Sequence, residues 1–502
     1  MNTSQRVLVN TVVVYCRQVV LLVISLVSVP IVLGALGEID YGLYNLVAGI
    51  IAMLSFLNTS MAISTQRFLS VTIGERNPER LNAIMNNSII LHFIIGVVIV
   101  ILFEIGYFIF FGGHLNIDDS RIRAAQTIYQ ALVVSTFFTV LLVPFQAIMN
   151  AKEHMITLSV FGLIDSLLKF GLALSIVFVA FDKLIYYGVG IALITMVLAF
   201  IEILYVKIHY NDLNIKPTKY NNIQLLKQLS GFAGWNTFGA IATIGRNQGI
   251  AIIMNLFYGP IANAAYGIAN QINGALSYFS TSFQSALNPQ LMQSEGMKDR
   301  ERLLRISLLS SKISVFVVAL FAIPLIIEMN FVLKLWLREV PQYTLILSQL
   351  ILCSLMVLQY SVGLMSAIQA HGDIKYYFII ISALILLNIP VSYFLLLHGF
   401  EVYYCIVVFI VFEFFSLCAR LCLAKVYVGL MPVEFLKEVI QPTLICMFLA
   451  FAPAYICHIS MQESFVRLVL VSLIYLFVYL MVSWFFLFDD AIKAVIKNYL
   501  KK

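Results

Sequence analysis

Two arginines stand where arginine is expensive to place. Arg17 and Arg246 each lie inside a long apolar run, and neither has an acid within four residues on its own segment. A charged side chain at mid-bilayer costs roughly 2.5–3.5 kcal/mol on insertion scales, so it faces a partner or a hydrated cavity. Polar residues flank both: Tyr15 and Gln18 beside the first, Asn247 and Gln248 beside the second. Guanidinium is a planar fork that donates two parallel hydrogen bonds, a geometry matched to phosphate and carboxylate. Two arginines without local acids predict an anion site. The competing reading pairs each with an acid on another helix.

The remaining charges in apolar segments are Glu104, Asp165, Lys169, Glu202, Glu413 and Arg420. Asp165 and Lys169 are four residues apart and share a helix face, which predicts a mutually neutralising pair. Glu413 and Arg420 are seven apart, again on one face, with Arg420 near an inner end where it can snorkel. His92, Asp165, Lys169 and Glu413 are also the candidates for coupling to an ion, protons or sodium, since His titrates in a useful range. The bland reading of His92 is a packing or hydrogen-bonding group.

Uncharged polar groups concentrate on two segments: Asn45, Ser55, Asn58, Thr59 and Ser60 on one, Asn270, Asn273, Ser277, Ser280, Gln284 and Asn288 on the other. They suit a hydrated cavity that holds a sugar, and equally suit hydrogen bonding between helices. The same segments carry a repeat. YGLYNLVAGI at 41–50 and YGIANQINGA at 266–275 both read Y-G-x-x-N-x-x-x-G, 225 positions apart. Asn45 and Asn270 are expected to face a central path. Gly42, Gly49, Gly267 and Gly274 are expected to let helices pass closely.

The elements that position these residues are membrane helices. The chain is 61% hydrophobic and 11% charged, where soluble domains carry roughly a quarter charged residues. A membrane helix needs about 20 mainly apolar residues, and fourteen such spans fit between residues 10 and 488, some separated only by Gly/Pro turns at 34–40 and 258–261. The first apolar run is too long for a cleaved signal core and reads as a retained first helix. Lys and Arg crowd alternate loops, which with an even number of spans puts both termini in the cytoplasm. That bias accounts for the net charge of +6; a nucleic-acid partner would need a basic soluble domain. The two repeat copies open spans 2 and 8. Six spans apart, they run the same way, which predicts two parallel six-helix bundles. The expected division is residues 1–208 (spans 1–6), a polar cytoplasmic linker at 209–230, residues 231–428 (spans 7–12), and residues 429–502. The last part holds two extra spans and the tail DDAIKAVIKNYLKK, read as a helix on the inner leaflet or as a solvated end.

Enzymatic chemistry finds little support. Of seven cysteines, only Cys418 and Cys422 are at i, i+4, and no His or carboxylate completes a metal set. The outer loops are short; they hold His114, Asp118, Asp119 and Arg338, of which the Asp pair is a weak metal signal. No nucleotide-binding loop occurs, so no cofactor, metal or covalent catalysis is expected.

The runs NTVVVYCRQ, VLGALGEIDYGLYNLVAGIIAMLSFLNTSMAISTQRFLS, LSGFAGWNTFGAIATIGRNQGIAIIMNLFYGPIANAAYGIANQIN, TSFQSALNPQLMQ and FVLKLWLREVPQYT resemble the bacterial oligosaccharide flippases of the Wzx type. These belong to the multidrug, oligosaccharidyl-lipid and polysaccharide exporter superfamily. The resemblance implies an all-α polytopic membrane protein of about fourteen helices, two six-helix lobes in a V plus two extra helices. It implies a cavity lined by spans 1, 2, 7 and 8. It also implies transfer of an undecaprenyl-diphosphate-linked oligosaccharide from the inner to the outer leaflet of the cytoplasmic membrane. Arg17 and Arg246 are then the positions for the diphosphate or for acidic sugars. Nothing in the sequence requires an oligomer, and a monomer is expected. Rival readings are an organic-cation exporter of the same superfamily, which would want a carboxylate in its cavity, and a flippase for a lipid-linked peptidoglycan precursor. A membrane polymerase or ligase is disfavoured by the short outer loops.

Overall fold

The structure is a computed structural model that describes residues 3–52, 55–111, 118–217, 219–337, 339–488 and 493. His114, Arg338 and nearly all of the expected tail helix lie outside the described residues, as does the Tyr15 side chain. Among the described residues there is helix and no strand. The helices are α1 (Thr3–Ala52), α2 (Ser55–Glu75), α3 (Pro78–Ile109), α4 (Ile122–Ala151), α5 (Met155–Ser175), α6 (Lys183–His209), α7 (Ile223–Gly296) and α8 (Arg300–Trp336). They continue as α9 (Thr344–Tyr360), α10 (Val362–His371), α11 (Lys375–Leu397), α12 (Tyr404–Val428), α13 (Pro432–Phe435), α14 (Gln441–Ser460) and α15 (Phe465–Phe486).

The fold is that of a multi-pass membrane protein. Among the described residues, ten helices are long and apolar enough to cross a bilayer, or eleven if α9 and α10, bent by 41° at Ser361, form one broken span. The expected spans lie on the helices named above; the first two fall on α1 and α2, which are not among the ten, and the seventh and eighth are both carried by α7. A 74-residue helix such as α7 would be about 110 Å long if straight, against a hydrocarbon thickness of about 30 Å. It is broken by a kink at Gly259 (φ 73°, ψ −168°), and α1 is kinked at Gly37 (φ 80°, ψ 169°). Both angles fall in a region open essentially to glycine alone. The turns expected at 34–40 and 258–261 are therefore sharp kinks rather than loops.

The helix turn that follows each kink is also repeated. After α2, Arg76 is left-handed (φ 54°), Asn77 caps α3 by accepting from the Arg80 N–H at 3.0 Å, and Arg80 pairs with Glu75 at 2.8 Å. After α7, Lys298 is left-handed (φ 58°), Asp299 accepts from the Arg302 N–H at 3.0 Å, and Arg300 pairs with Glu295 at 2.9 Å. Gly37 and Gly259, Arg76 and Lys298, and Asn77 and Asp299 are each 222 positions apart. The Y-G-x-x-N-x-x-x-G copies, 225 apart, are thus three residues out of this register, about 300° of helix rotation. Asn45 and Asn270 are not structural counterparts.

The chain divides into two compact units, Val9–Thr237, and Phe238–Lys502 together with Met1–Leu8. In the first, α4 is the buried helix. Ala125, Ile128 and Tyr129 pack with Ile99, Phe103 and Leu184, and the Tyr129 hydroxyl donates to the Phe103 carbonyl at 2.6 Å. The polar linker is strapped to this unit. Asn82 accepts from the Asn214 N–H and Asn86 donates to the Asn214 carbonyl, at 2.6 and 2.8 Å. Asn87 donates to the Tyr220 carbonyl and accepts from the Asn222 N–H, at 2.7 and 2.9 Å. Side-chain amides here satisfy backbone groups that a linker otherwise leaves to water. In the second unit, α14 and α15 pack against α8 through Cys446, Ala450, Ala454, Val471, Tyr475 and Tyr479.

Candidate functional site

In the first unit, α1 carries Arg17 against α5. Position 162 of α5 is glycine, and a Cβ there would stand 2.6 Å from an Arg17 terminal nitrogen and 2.8 Å from Nε. The guanidinium thus lies in a slot that exists because one side chain is missing. The half-buried Arg17 makes no ion pair within 4 Å among the described residues, and its buried Nε has no hydrogen-bond partner. Asp165 and Glu202 act on it through space. Both carboxylates have other partners: Lys169 is 2.8 Å from Asp165, and Gln146 donates to Glu202 at 3.0 Å. Gln18, next to Arg17, is half-buried.

In the second unit, α7 carries Arg246 against α12. Here the expectation of an unpaired arginine fails. Arg246 lies 3.0 Å from Glu413, and its guanidinium carbon sits 3.6 Å from the centre of the Phe409 ring, a cation–π contact. Arg420, seven residues beyond Glu413 on α12, lies 3.6 Å from the same carboxylate and donates to Ser361 at 3.0 Å. Arg246, Glu413 and Arg420 are 8%, 4% and 3% exposed. Two guanidiniums thus share one carboxylate in a buried cluster with one uncompensated positive charge. Glu413, expected among ion-coupling groups, is the counter-ion of both.

The other expected positions scatter. Asn247 accepts from Arg246 Nε at 3.3 Å, whereas Gln248 is exposed. Asn45 is exposed and donates to the carbonyl of Tyr41 one turn back. Asn58 is half-buried with an unpartnered Oδ1. Asn270 interacts with the Tyr266 hydroxyl, and Asn273 is half-buried. Gln284 donates to Ser366 at 3.0 Å, and Ser366 donates to Asn288 at 2.9 Å, so these polar groups join α7 to α10. His92 is buried, with Nδ1 2.7 Å from the Ser88 carbonyl and Nε2 unpartnered; it shares no hydrogen bond with Asp165, Lys169 or Glu413.

The four repeat glycines need correcting as well. A Cβ at Gly42, Gly49, Gly267 or Gly274 would meet nothing within 4 Å, so they do not mark close helix crossings. Such crossings occur at Gly162, Gly239 and Gly363, where a Cβ would collide with Arg17, Phe378 and the Ser307 carbonyl. Asp118, one of the acids in the weak metal signal, instead accepts from the Ser120 N–H and hydroxyl at 2.8 and 2.7 Å. Cys418 and Cys422 are exposed and free.

Two charge clusters escaped the sequence reading. Glu328 of α8 is fully buried. It pairs with Arg467 of α15 at 2.9 Å and with His458 of α14 at 2.7 Å. An acid inside the apolar run FAIPLIIEMN was the available signal. At the α4 and α6 starts, Arg121 joins Asp40 and Asp182. Burial alone would push the Asp182 carboxyl up, but the Ile185 N–H, the Arg121 guanidinium and the Leu184 N–H hold it below the usual carboxylate value.

Comparison with known proteins places this architecture. The MatE family model matches residues 15–175. No curated protein matches the sequence. A MATE transporter in its straight conformation has a similar structure, with TM-score 0.74 and 14% identity over 86% of this chain and 97% of that one. An outward-facing multidrug resistance MATE family transporter of the MOP superfamily gives TM-score 0.72 and 14% identity over 84% and 95%. A MOP superfamily transporter from Pyrococcus furiosus, described as having a binding pocket of reverse polarity that suggests a different function, gives TM-score 0.72 and 13% identity over 84% and 95%. The chain has the fold of the MATE transporters of the MOP superfamily.

Proposed function

We propose that this protein is a transporter of an anionic solute. The solute we assign is an undecaprenyl-diphosphate-linked oligosaccharide, moved from the inner to the outer leaflet of the bacterial cytoplasmic membrane by alternating access. In this reading the chain works as a monomer with both termini in the cytoplasm, driven by protons or sodium.

The observation that carries the reading is Arg17. Its guanidinium is held over Gly162 with no carboxylate within 4 Å among the described residues. An unpaired guanidinium in a membrane helix is costly to keep, and an anionic ligand supplies the missing counter-charge. A diphosphate fits the planar fork. The residue class also agrees with the resemblance to Wzx-type flippases, and a relative by fold is described with a pocket of reverse polarity.

A second reading, an exporter of organic cations, is favoured by the MatE match and by Asp165 and Glu202, which lie close enough to act on Arg17. The test is transport in proteoliposomes. The native chain and Arg17→Gln are compared for flipping of a lipid-linked diphosphate oligosaccharide and for uptake of an organic cation. Flipping by the native chain that is lost in folded Arg17→Gln supports the proposal. Cation uptake without flipping moves the assignment to the second reading.

A further inference from the structure

We propose that Glu413 is an internal stand-in for the transported anion: it occupies Arg246 while the site is empty and passes to Arg420 when an anionic ligand arrives. The proposal rests on the anion-transport reading above.

Three features of the second unit carry it. First, the cluster is one anion short. Arg246 and Arg420 share Glu413, all three at least nine-tenths buried, and an uncompensated buried charge is strongly unfavourable. Second, the carboxylate is bound unequally. Oε1 lies 3.0 Å from Arg246, within hydrogen-bond range, whereas Oε2 lies 3.6 Å from Arg420 and has no hydrogen-bond partner. The second arginine is thus ion-paired to Glu413 at longer range but not hydrogen-bonded to it. Third, Arg420 is fixed to receive it. It sits on the same α12 face as Glu413 and donates to Ser361, at the break between α9 and α10, while its buried Nε is unpartnered.

A phosphate oxygen reaching Arg246 would compete with Glu413 for one guanidinium. A carboxylate driven off a buried guanidinium needs another partner at once, since its isolated charge is unstable there. Arg420 is that partner, reached by a small rotation of one side chain. After the exchange each guanidinium has its own anion and the positive surplus is gone. Before it, Glu413 neutralises Arg246 and discriminates against ligands too weakly charged to displace it. The chemistry recognised is a diphosphate, as a lipid headgroup or as a free ion.

The experiment is calorimetric titration of the full-length protein in lipid nanodiscs with inorganic diphosphate and with a short-chain polyprenyl diphosphate. Folding of each variant is checked by thermal unfolding. Glu413→Gln should bind about tenfold tighter or more, since an amide competes poorly for a charge-assisted bond. Arg246→Gln should lose binding at this site. Arg420→Gln should bind about tenfold more weakly, because the displaced carboxylate then has no charged partner. Native affinity in folded Glu413→Gln, or in Arg420→Gln, overturns the exchange. Should Glu413→Gln fail to fold, Arg420→Gln alone decides. Binding of the lipid form alone assigns the headgroup as ligand; binding of both forms assigns the diphosphate itself, and the variant pattern is judged the same way in each case. A native chain that binds neither removes the transport reading along with the exchange. Native binding that depends on Arg17 but is indifferent to Arg246, Glu413 and Arg420 keeps transport and removes the exchange.

Discussion

In the first unit the Arg17 guanidinium lies over Gly162 with no ion pair among the described residues. In the second, Arg246 lies 3.0 Å from Glu413 and stacks on Phe409. The two arginines occupy the same kind of sequence, a polar trio in an apolar helix without a local acid. Their fates differ because of what the neighbouring helix supplies: α5 presents a glycine, α12 a glutamate and an aromatic ring. A missing side chain makes room for a charge without neutralising it. A carboxylate neutralises the charge and removes it from service until something competes.

The contrast predicts opposite signs for removing one charge, and this is the largest effect. Glu413→Ala should destabilise the protein by about 3–5 kcal/mol, the usual penalty for leaving buried guanidiniums without their acid. Arg17→Gln should leave thermal unfolding unchanged or raise its midpoint, because no partner is lost. Equal losses in both variants would erase the distinction.

The glycines sharpen it further. Gly363→Ala would press against the Ser307 carbonyl, which is backbone and cannot yield; overpacking of this kind costs about 1–3 kcal/mol or more. Gly162→Ala meets only the far end of a flexible arginine. It should cost stability below about 1 kcal/mol, the usual range where the neighbour can move aside, yet abolish the slot and with it Arg17-dependent transport. A Gly162→Ala protein that transports normally would show that the slot has no role.

Where the units agree, substitutions should agree. Gly37→Ala and Gly259→Ala each force a side chain into a glycine-only conformation, with nothing within 4 Å to add a clash. Both should lose about 1–3 kcal/mol, read as matched downward shifts in unfolding midpoint. Unequal losses would break the 222-residue register.

The smallest effect belongs to the turn of the first unit where α4 and α6 start, which has no matching Arg–Asp–Asp group among the described residues of the second. The Asp182 carboxyl is held below its usual value. Its contribution is therefore present above the unfolded-state value of about 4 and disappears as pH falls through the depressed folded-state value. An Asp182→Asn protein should lose stability at neutral pH and show a flatter decline below about pH 4 than the native chain, measured by unfolding across a pH series.

Much of the fold was legible because membrane helices advertise themselves by length and apolarity, as the runs that became α3 to α8 do. The Gly-containing turns were legible as breaks, though only the backbone angles at Gly37 and Gly259 distinguish a kink from a loop. The site was less legible. Asp165 and Lys169 share a face by spacing alone, and the structure has them 2.8 Å apart. Arg246 and Glu413 are 167 positions apart, and nothing in either neighbourhood names the other. The repeat misled in a specific way. Four matching letters at 225 suggested equivalent asparagines and packing glycines, while the backbone landmarks repeat at 222 and leave open space beside those glycines.

The sequence by itself determined the solvent, the helical class, the breaks within 34–40 and 258–261, and the pairing of charges one turn apart. Each of these depends on composition or on fixed distances along a helix. Only the tertiary structure decided that Arg17 lies over Gly162, that Arg246 and Arg420 share Glu413, and that Glu328 gathers Arg467 and His458. These partners are set by which helix faces pack together, and contact between distant segments is a property of the packed chain rather than of any local run of residues.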